Sequence, residues 1–413
     1  MRANRKNMER MAEAVPDCDD QSLQHFISNS PWDNSALMRQ IADDAEALIG
    51  DDPDTCLIVD ESGFKKSGKK SVGVSRQWLG RLGKVDNGQV GVFVALNRRE
   101  KVTLTDTRLF LPESWTTSKK RMRRAGVPEE RYSYRKKTEL AFEMIESARE
   151  RVSSHQWIGA DGFYGNDPWF LRQLDQMNET FVIDVHADQS IYIDDPEPYV
   201  PKRRTNRGRT PSRLKTRQRS IKVSDWVKQQ PAEAWTQVVV RDSTKGSLKV
   251  WMLHGRVWLW DGKEKQAHQW HLIVRRERNS KNTLKYSLSN APVDTSIERL
   301  AFMQGQRFFV ERAIEDAKSS CGMADYQVRG WTGWHHHMAM VMLVLLFMLK
   351  IKVQYDDTVE LISSNDIREL LYHFLPKRAI TTEEVLRQMH VRHQKRRNAI
   401  LRHIKTKLRN LTK

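Results

Sequence analysis

A chain of 413 residues and 48.4 kDa has length for two to three domains and a full core without disulfide support. Lys and Arg number 70 against 52 Asp and Glu, a formal net charge of +18, yet two acid-free stretches, 202–222 and 387–413, hold ten Lys or Arg each and leave the rest of the chain at about −2. An ordinary body with two basic appendages predicts a polyanionic partner, nucleic acid being the commonest large one. Three scattered cysteines (Cys18, Cys56, Cys321) exclude a disulfide framework and a paired zinc-ligand spacing, and they fit a reducing cytosol. The N-terminus has no apolar run of the secretory kind. The longest apolar stretch, Met338 to Leu349, is twelve residues where a membrane span needs about 20, so it reads as a buried helix with no membrane partner.

Short helices are predicted over the first fifty residues, with Asn34 or Ser35 capping an amphipathic run that DDPD ends. Strands follow at Thr55 to Asp60, Gln89 to Asn97 and Lys101 to Pro112, then a basic turn region and a helix over Lys137 to Val152. His155 to Asp161 reads as another strand, LRQLDQM as an amphipathic helix, and Thr180 to Ala187 as the last strand of a mixed α/β sheet. Residues after Ala187 turn rich in Pro, Arg and Lys without periodicity, a mobile basic arm. Short strands at WTQVVV, SLKVWMLH, VWLW and QWHLIVRR make residues 188–292 a β-rich insertion. One long helix is expected from Asp294 to about Ser320, with Thr295 and Glu298 at capping-box spacing; the apolar helix follows, and Thr381 and Glu384 start a basic C-terminal helix.

Two acids sit alike, each closing an apolar strand before a small-residue turn: Asp60 in LIVDESG and Asp161 in WIGADGFYG. Either alone reads more often as a turn former, but they converge if their strands are neighbours. A third acid comes from the long helix, where Arg307, Glu311 and Lys318 stand at i, i+4 and i+11 on one face; the bland alternative is a solvated face with one ion pair. Three carboxylates in basic surroundings suit phosphodiester chemistry, because hard Mg²⁺ prefers oxygen ligands and two such ions about 4 Å apart can activate the nucleophile and hold the leaving oxygen.

On these residues the chain resembles the catalytic regions of bacterial insertion-sequence transposases of the DDE, ribonuclease H-like superfamily, especially the insertion-sequence-four-like group and its close relatives. The resemblance spans about Lys6 to Ile351. It is strongest in the blocks around Asp60 and Asp161, in LFLPESWT, and in the glutamate helix with its continuation MADYQVRGWTGWHHHMA. The group carries a Tyr, Arg, Glu, Lys signature whose last three members fall on Arg307, Glu311 and Lys318; Gln304 stands where the tyrosine would. That tyrosine is not a metal ligand in the family, so the departure touches the DNA-end contact and leaves the chemistry. Glu315 is the rival third acid, but only Glu311 satisfies both spacings. Relatives begin further upstream, and the start at Met1 is compatible with a shortened copy.

The resemblance implies a helical N-terminal region (1–52), a ribonuclease H-like core in two parts (53–187 and 293–355) split by the β-rich insertion (188–292), and a basic helical C-terminal region (356–413). It implies that Asp60, Asp161 and Glu311 bind two Mg²⁺ (or Mn²⁺) ions, that Arg307 and Lys318 grip phosphates, and that a tryptophan of the insertion, Trp258 or else Trp251 or Trp260, stacks on a flipped base. The partners would be double-stranded terminal inverted repeats and target DNA, bound by a homodimer in the bacterial cytoplasm and on the nucleoid. Physically, Arg203, Arg204, Arg207 and Arg209 in the arm, and Arg392, Lys395 and Arg396 with Arg402 on the C-terminal helix, are suited to sequence-independent, salt-sensitive DNA binding. A repressor without chemistry and a metal-dependent nuclease that cuts without strand transfer are the alternatives. GFKKSGKK (63–70) nearly spells a phosphate-binding loop but lacks the Ser or Thr after the Lys, and consecutive His335, His336 and His337 are scattered around a helix rather than grouped for zinc.

Overall fold

The computed structural model describes residues 6–151, 153–203, 211–241, 246–276, 283–355, 358 and 362–411. Three helices lead the chain: α1 (Met8–Ala14), α2 (Asp20–Ser28) and α3 (Asn34–Ile49). Asp33, rather than Asn34 or Ser35, caps α3: its backbone is still extended, and its carboxylate accepts from the Ser35 N–H. Then come β1 (Thr55–Lys65), β2 (Ser75–Leu79), β3 (Lys84–Arg98) and β4 (Lys101–Leu109). β1 continues five residues past Asp60 because β3 pairs with it as far as Lys65. The basic turn region contains two short helices, α4 (Glu113–Thr116) and α5 (Lys119–Arg124), before α6 (Lys137–Glu150). After these stand β5 (Trp157–Ala160), α7 (Gly162–Gly165), α8 (Pro168–Gln176) and β6 (Phe181–Val185).

The segment that follows holds β7 (Ser190–Ile191), β8 (Ile221–Lys222), α9 (Val223–Lys228), β9 (Thr236–Arg241), β10 (Leu248–Leu259), β11 (His268–Arg276) and β12 (Leu284–Ser289). SLKVWMLH and VWLW are one strand, since Gly255 and Arg256 pair with β11 without a turn. The described parts of the basic arm are anchored: Tyr199 and Lys215 exchange backbone hydrogen bonds, and the Arg217 guanidinium lies over the Tyr199 ring. Next are α10 (Ile297–Gln306) and α11 (Phe308–Ser319), where one helix was expected; Ser296 caps α10 and the ladder is interrupted at Arg307. The chain ends in α12 (Trp331–Tyr355), α13 (Ser364–Phe374) and α14 (Thr382–Leu411). The expected Thr381 cap is present, its hydroxyl accepting from the Glu384 N–H.

β1, β3 and β4 form an antiparallel meander, and β5 and then β6 join the other side of β1 in parallel, giving the ribonuclease H-like order β4-β3-β1-β5-β6. From β6 the same sheet runs on antiparallel through β12, β11, β10 and β9, so the β-rich segment extends the core sheet. Arg172 of α8 pairs with Asp261 and Glu264 beyond β10, a second tie between the two parts. α12 is long and apolar enough to cross a membrane by length and composition, yet Trp334, Met338, Ala339 and Met342 are buried where it packs on β4, α2, α3 and α11. His336 stacks on Trp32 and meets the carbonyls of Ile27 and Trp32, while burial pushes His335 down to about 3 and His337 to about 4, so the three histidines are core residues.

One close approach fixes the local sequence near Asp161. α7 lies against β6 so tightly that a Cβ at Gly165 would fall on the Asp184 carbonyl oxygen, backbone that cannot move aside. Gly165→Ala is therefore expected to destabilise the fold by about 2 kcal/mol through overpacking, read as a lower thermal midpoint in calorimetry; an unchanged midpoint would show that α7 stands off the strand.

Candidate active site

Register brings the two sequence-predicted aspartates together. β1 and β5 are parallel neighbours with Val59 opposite Ala160, so the next residues, Asp60 within β1 and Asp161 just past the end of β5, come side by side on the same face. The next strand continues the row: Ala160 faces Ile183, which places Asp184 beside Asp161, and Asp184 in turn pairs with Ser287 of β12. Three carboxylates thus stand in line across β1, β5 and β6. Burial, and then the Asp161 charge, push the Asp60 carboxyl up to about 7 against the pull of Arg307. Burial and the Glu61 charge raise Asp161. The Asp161 carboxylate also accepts from the Phe163 N–H, which sets its direction at the start of α7.

The opposing charge comes from Arg307, at the break between α10 and α11. Its Nε donates to Asp184 Oδ2 at 2.9 Å and its guanidinium to Glu311 Oε1 at 2.8 Å. Burial works against its charge, but Asp184, Glu311, Asp60 and Asp161 together hold the proton on. Glu311, in the first turn of α11, has a side chain 51% exposed. Glu315 turns to Arg312 and is more exposed still. Lys318, further along α11, places its ammonium 5.4 Å from the Phe64 ring of β1.

On the opposite face of β1, Glu61 accepts from Lys137 Nζ at 2.6 Å and from the Tyr164 hydroxyl at 3.1 Å, which ties α6 and α7 to the strand that carries Asp60. Tyr164 is fully buried and its phenol is held protonated by burial and the surrounding acids. Glu61, Lys137, Tyr164, Asp184 and Ser287 were not singled out from the sequence. Asp184 had a legible signal, a lone acid inside the apolar run FVIDV. Gln304, at the tyrosine position of the signature, is buried and donates from Nε2 to Ser287 Oγ at 2.8 Å.

The remaining expected contacts lie elsewhere. In the sheet the row of Asp184 passes through Ser287 and Ile273 to His254. Trp258 is four residues along β10 from that row, toward the amino ends of β5 and β6, half-buried in a groove with Tyr199, Arg217 and Lys265. Trp260 is half-buried and donates to the Glu264 carbonyl; Trp251, 42% exposed, is three residues from the row on the other side. Arg203 is exposed, and Arg204, Arg207 and Arg209 lie outside the described residues. Arg392 makes a bidentate pair with Glu13 of α1, and Lys395 pairs with Glu9 and with Asp20 of α2, so both meet carboxylates of this chain; Arg396 is exposed. Residues 63–65 of the near-miss phosphate loop are strand, and Lys66 rests its ammonium on the Tyr326 ring.

A divalent cation fits the Asp60 and Asp161 pair by its chemistry: two hard oxygen donors side by side, both with their carboxyls pushed up by burial and by neighbouring acids. Among the described residues no three Asp, Glu, His or Cys side chains are grouped so as to hold an ion as they stand, and Glu311 is engaged by Arg307.

The profile of the family described as DDE superfamily endonuclease matches residues 1–247, more than half of the chain. A protein of Microchaete diplosiphon named as the probable transposase for insertion sequence element IS701 is 25% identical over 331 residues, covering 78% of this chain and 73% of its own length. A ribonuclease H-like sheet, aspartates side by side on its first core strand and just past its fourth, and a match over this span lead to one assignment: the chain belongs to the DDE superfamily of endonucleases, enzymes that depend on a divalent metal and act on DNA.

Proposed function

We propose that this endonuclease is the transposase of an insertion sequence, cutting DNA at the element's terminal repeats and joining the freed end to a target. The observation that carries the reading is the placement of Asp60 and Asp161 on adjacent parallel strands, with Arg307 and Glu311 at the turn of helix over them. Asp60, Asp161 and Glu311 are the residues that would hold two Mg²⁺ or Mn²⁺ ions. Bound there, the ions would activate water or a 3′-hydroxyl and offset charge on the phosphorus oxygens. The chain's own groups position. Lys137 and Tyr164 hold Glu61, and the Phe163 N–H aims Asp161. Arg307 exchanges its carboxylate partners for a phosphate of the DNA end, which frees Glu311 to join the two aspartates, and Lys318 grips a second phosphate. A phosphate is a charge-assisted acceptor of the same kind as the carboxylates Arg307 already binds.

The β-rich segment 188–292 holds the DNA end, with a tryptophan as its stacking surface. The basic arm and the C-terminal helix supply counterion-releasing affinity; Arg392 and Lys395 exchange Glu13, Glu9 and Asp20 for phosphates when DNA arrives. Excision needs both ends of the element, so two copies act as a homodimer on the DNA, in the bacterial cytoplasm.

Two measurements test this. With a plasmid carrying the element ends and Mg²⁺, wild-type chain should give excised and joined products, and Asp161→Asn should lower cleavage by at least a thousandfold, on the scale of losing a principal catalytic group, while DNA affinity in gel shifts changes little. Loss of DNA binding in that variant would make Asp161 structural, and cut ends without joined product would mark a nuclease only. Deleting residues 202–222, which removes ten positive charges, should make the slope of log affinity against log salt shallower by several units; an unchanged slope would exclude the arm from DNA binding.

A further inference from the structure

The third acid of the row, Asp184, has no part in the reading so far, and its surroundings are built. It accepts from Ser287 Oγ at 2.5 Å, and Ser287 accepts from Gln304 Nε2 at 2.8 Å. Its carboxylate is therefore fixed from β12 and α10 independently of Arg307, which then docks on its free oxygen. Hydrogen bonds and ion pairs run unbroken from Gln304 through Ser287, Asp184 and Arg307 to Glu311. Gln304, which departs from the family signature, is the first link.

Arg307 is mostly buried, so its charge must be met inside the protein. Four carboxylates share it: Asp184, Glu311, Asp60 and Asp161. A divalent cation and a guanidinium draw on the same negative charge. How strongly Arg307 competes for Asp60, Asp161 and Glu311 thus depends on how firmly it is held elsewhere, and Asp184 is the member of the four that no metal reading uses.

We propose that Asp184 is a positioning residue: it anchors Arg307 through Nε and so keeps the guanidinium from displacing a divalent cation at Asp60, Asp161 and Glu311. This rests on the metal site proposed above. Asp184→Asn keeps the shape and an acceptor oxygen for Ser287 but removes the charge. Arg307 then leans on the remaining three acids, and the cation binds more weakly.

The test is Mn²⁺ binding to the full chain without DNA, followed by the electron paramagnetic resonance of free Mn²⁺, a readout independent of turnover. Asp184→Asn should raise the Mn²⁺ dissociation constant about tenfold, a coupling of about 1.4 kcal/mol between neighbouring charged groups. Arg307→Gln should bind Mn²⁺ more tightly than wild type, and adding Asp184→Asn to it should change the constant by less than about twofold, because the competitor is gone. Ser287→Ala, which loosens Asp184 without touching a charge, should shift binding in the same direction by roughly two- to threefold and serves if Asp184→Asn does not fold. A wild-type constant in both Asp184→Asn and Ser287→Ala, or a penalty that persists undiminished without Arg307, overturns the proposal. Asp161→Asn separates the two readings: if it binds Mn²⁺ as wild type does, the metal site itself is wrong whatever Asp184 does.

Discussion

Like charge held in a row is the constraint around which this structure is organised. β1, β5 and β6 pair in register, so Asp60, Asp161 and Asp184 stand abreast at spacings set by the sheet, about 4.8 Å per step. Burial first, and then the neighbouring Asp161 charge, push the Asp60 carboxyl up. Arg307 is the compensating charge, and it reaches the row from the point where the helical ladder breaks between α10 and α11. Tight apposition of α7 on β6, with Gly165 over the Asp184 carbonyl, follows from the same demand that Asp161 turn sharply at its strand end.

Because the sheet runs on from β6 through β12 to β9, the β-rich segment is in hydrogen-bonded continuity with that row. Ser287, on the first added strand, directly bonds Asp184. Anything that shifts β12 shifts the residue that anchors Arg307. A segment that reads in sequence as an appendage to the core is, in the fold, the lateral support of its charged edge. The basic appendages change meaning too: at the C-terminal helix, Arg392 and Lys395 are balanced by Glu13, Glu9 and Asp20. The charge of +18 counts cations that already have partners, and binding a polyanion there is an exchange of acceptors whose net gain is smaller than the count suggests.

Much of this was legible in the residues. LIVD and WIGAD announce apolar strands that reach an acid; β5 does end before Asp161, whereas β1 runs on to Lys65, and the Arg307 to Glu311 spacing puts those two within reach on a helical turn. What was not legible depended on register. Asp184 sits inside a strand, and only the pairing of Ile183 with Ala160 reveals that it lines up with Asp161. The break at Arg307 is hinted at only by Gly305 two residues before it, for QGQRFFVERA contains no proline, and the contact of Arg307 with Asp184 of β6 lies far away in sequence. β10 was read as two strands, and the unbroken pairing of Gly255 and Arg256 with β11 makes it one. The basic face of the C-terminal helix was clear, but the acids that meet it come from the other end of the chain.

The division of labour among the acids follows from what carries them. Asp60 and Asp161 are placed by two strands whose backbones are paired up to the residue before each. Glu311 is set by one helical turn and paired with Arg307, half open to solvent. A carboxylate on a rigid strand defines where a cation can sit; a carboxylate on a helix end can approach or withdraw by a change of rotamer and partner. Arg307 decides between these, since it holds Glu311 with one side of its guanidinium and Asp184 with the other. A phosphate that draws Arg307 away breaks the pair holding Glu311 and also leaves Asp60 and Asp161 less neutralised. On the proposed reading both effects would favour a divalent cation at the row, so the arrival of DNA and the filling of the site would be coupled through one side chain, and by linkage each would strengthen the other.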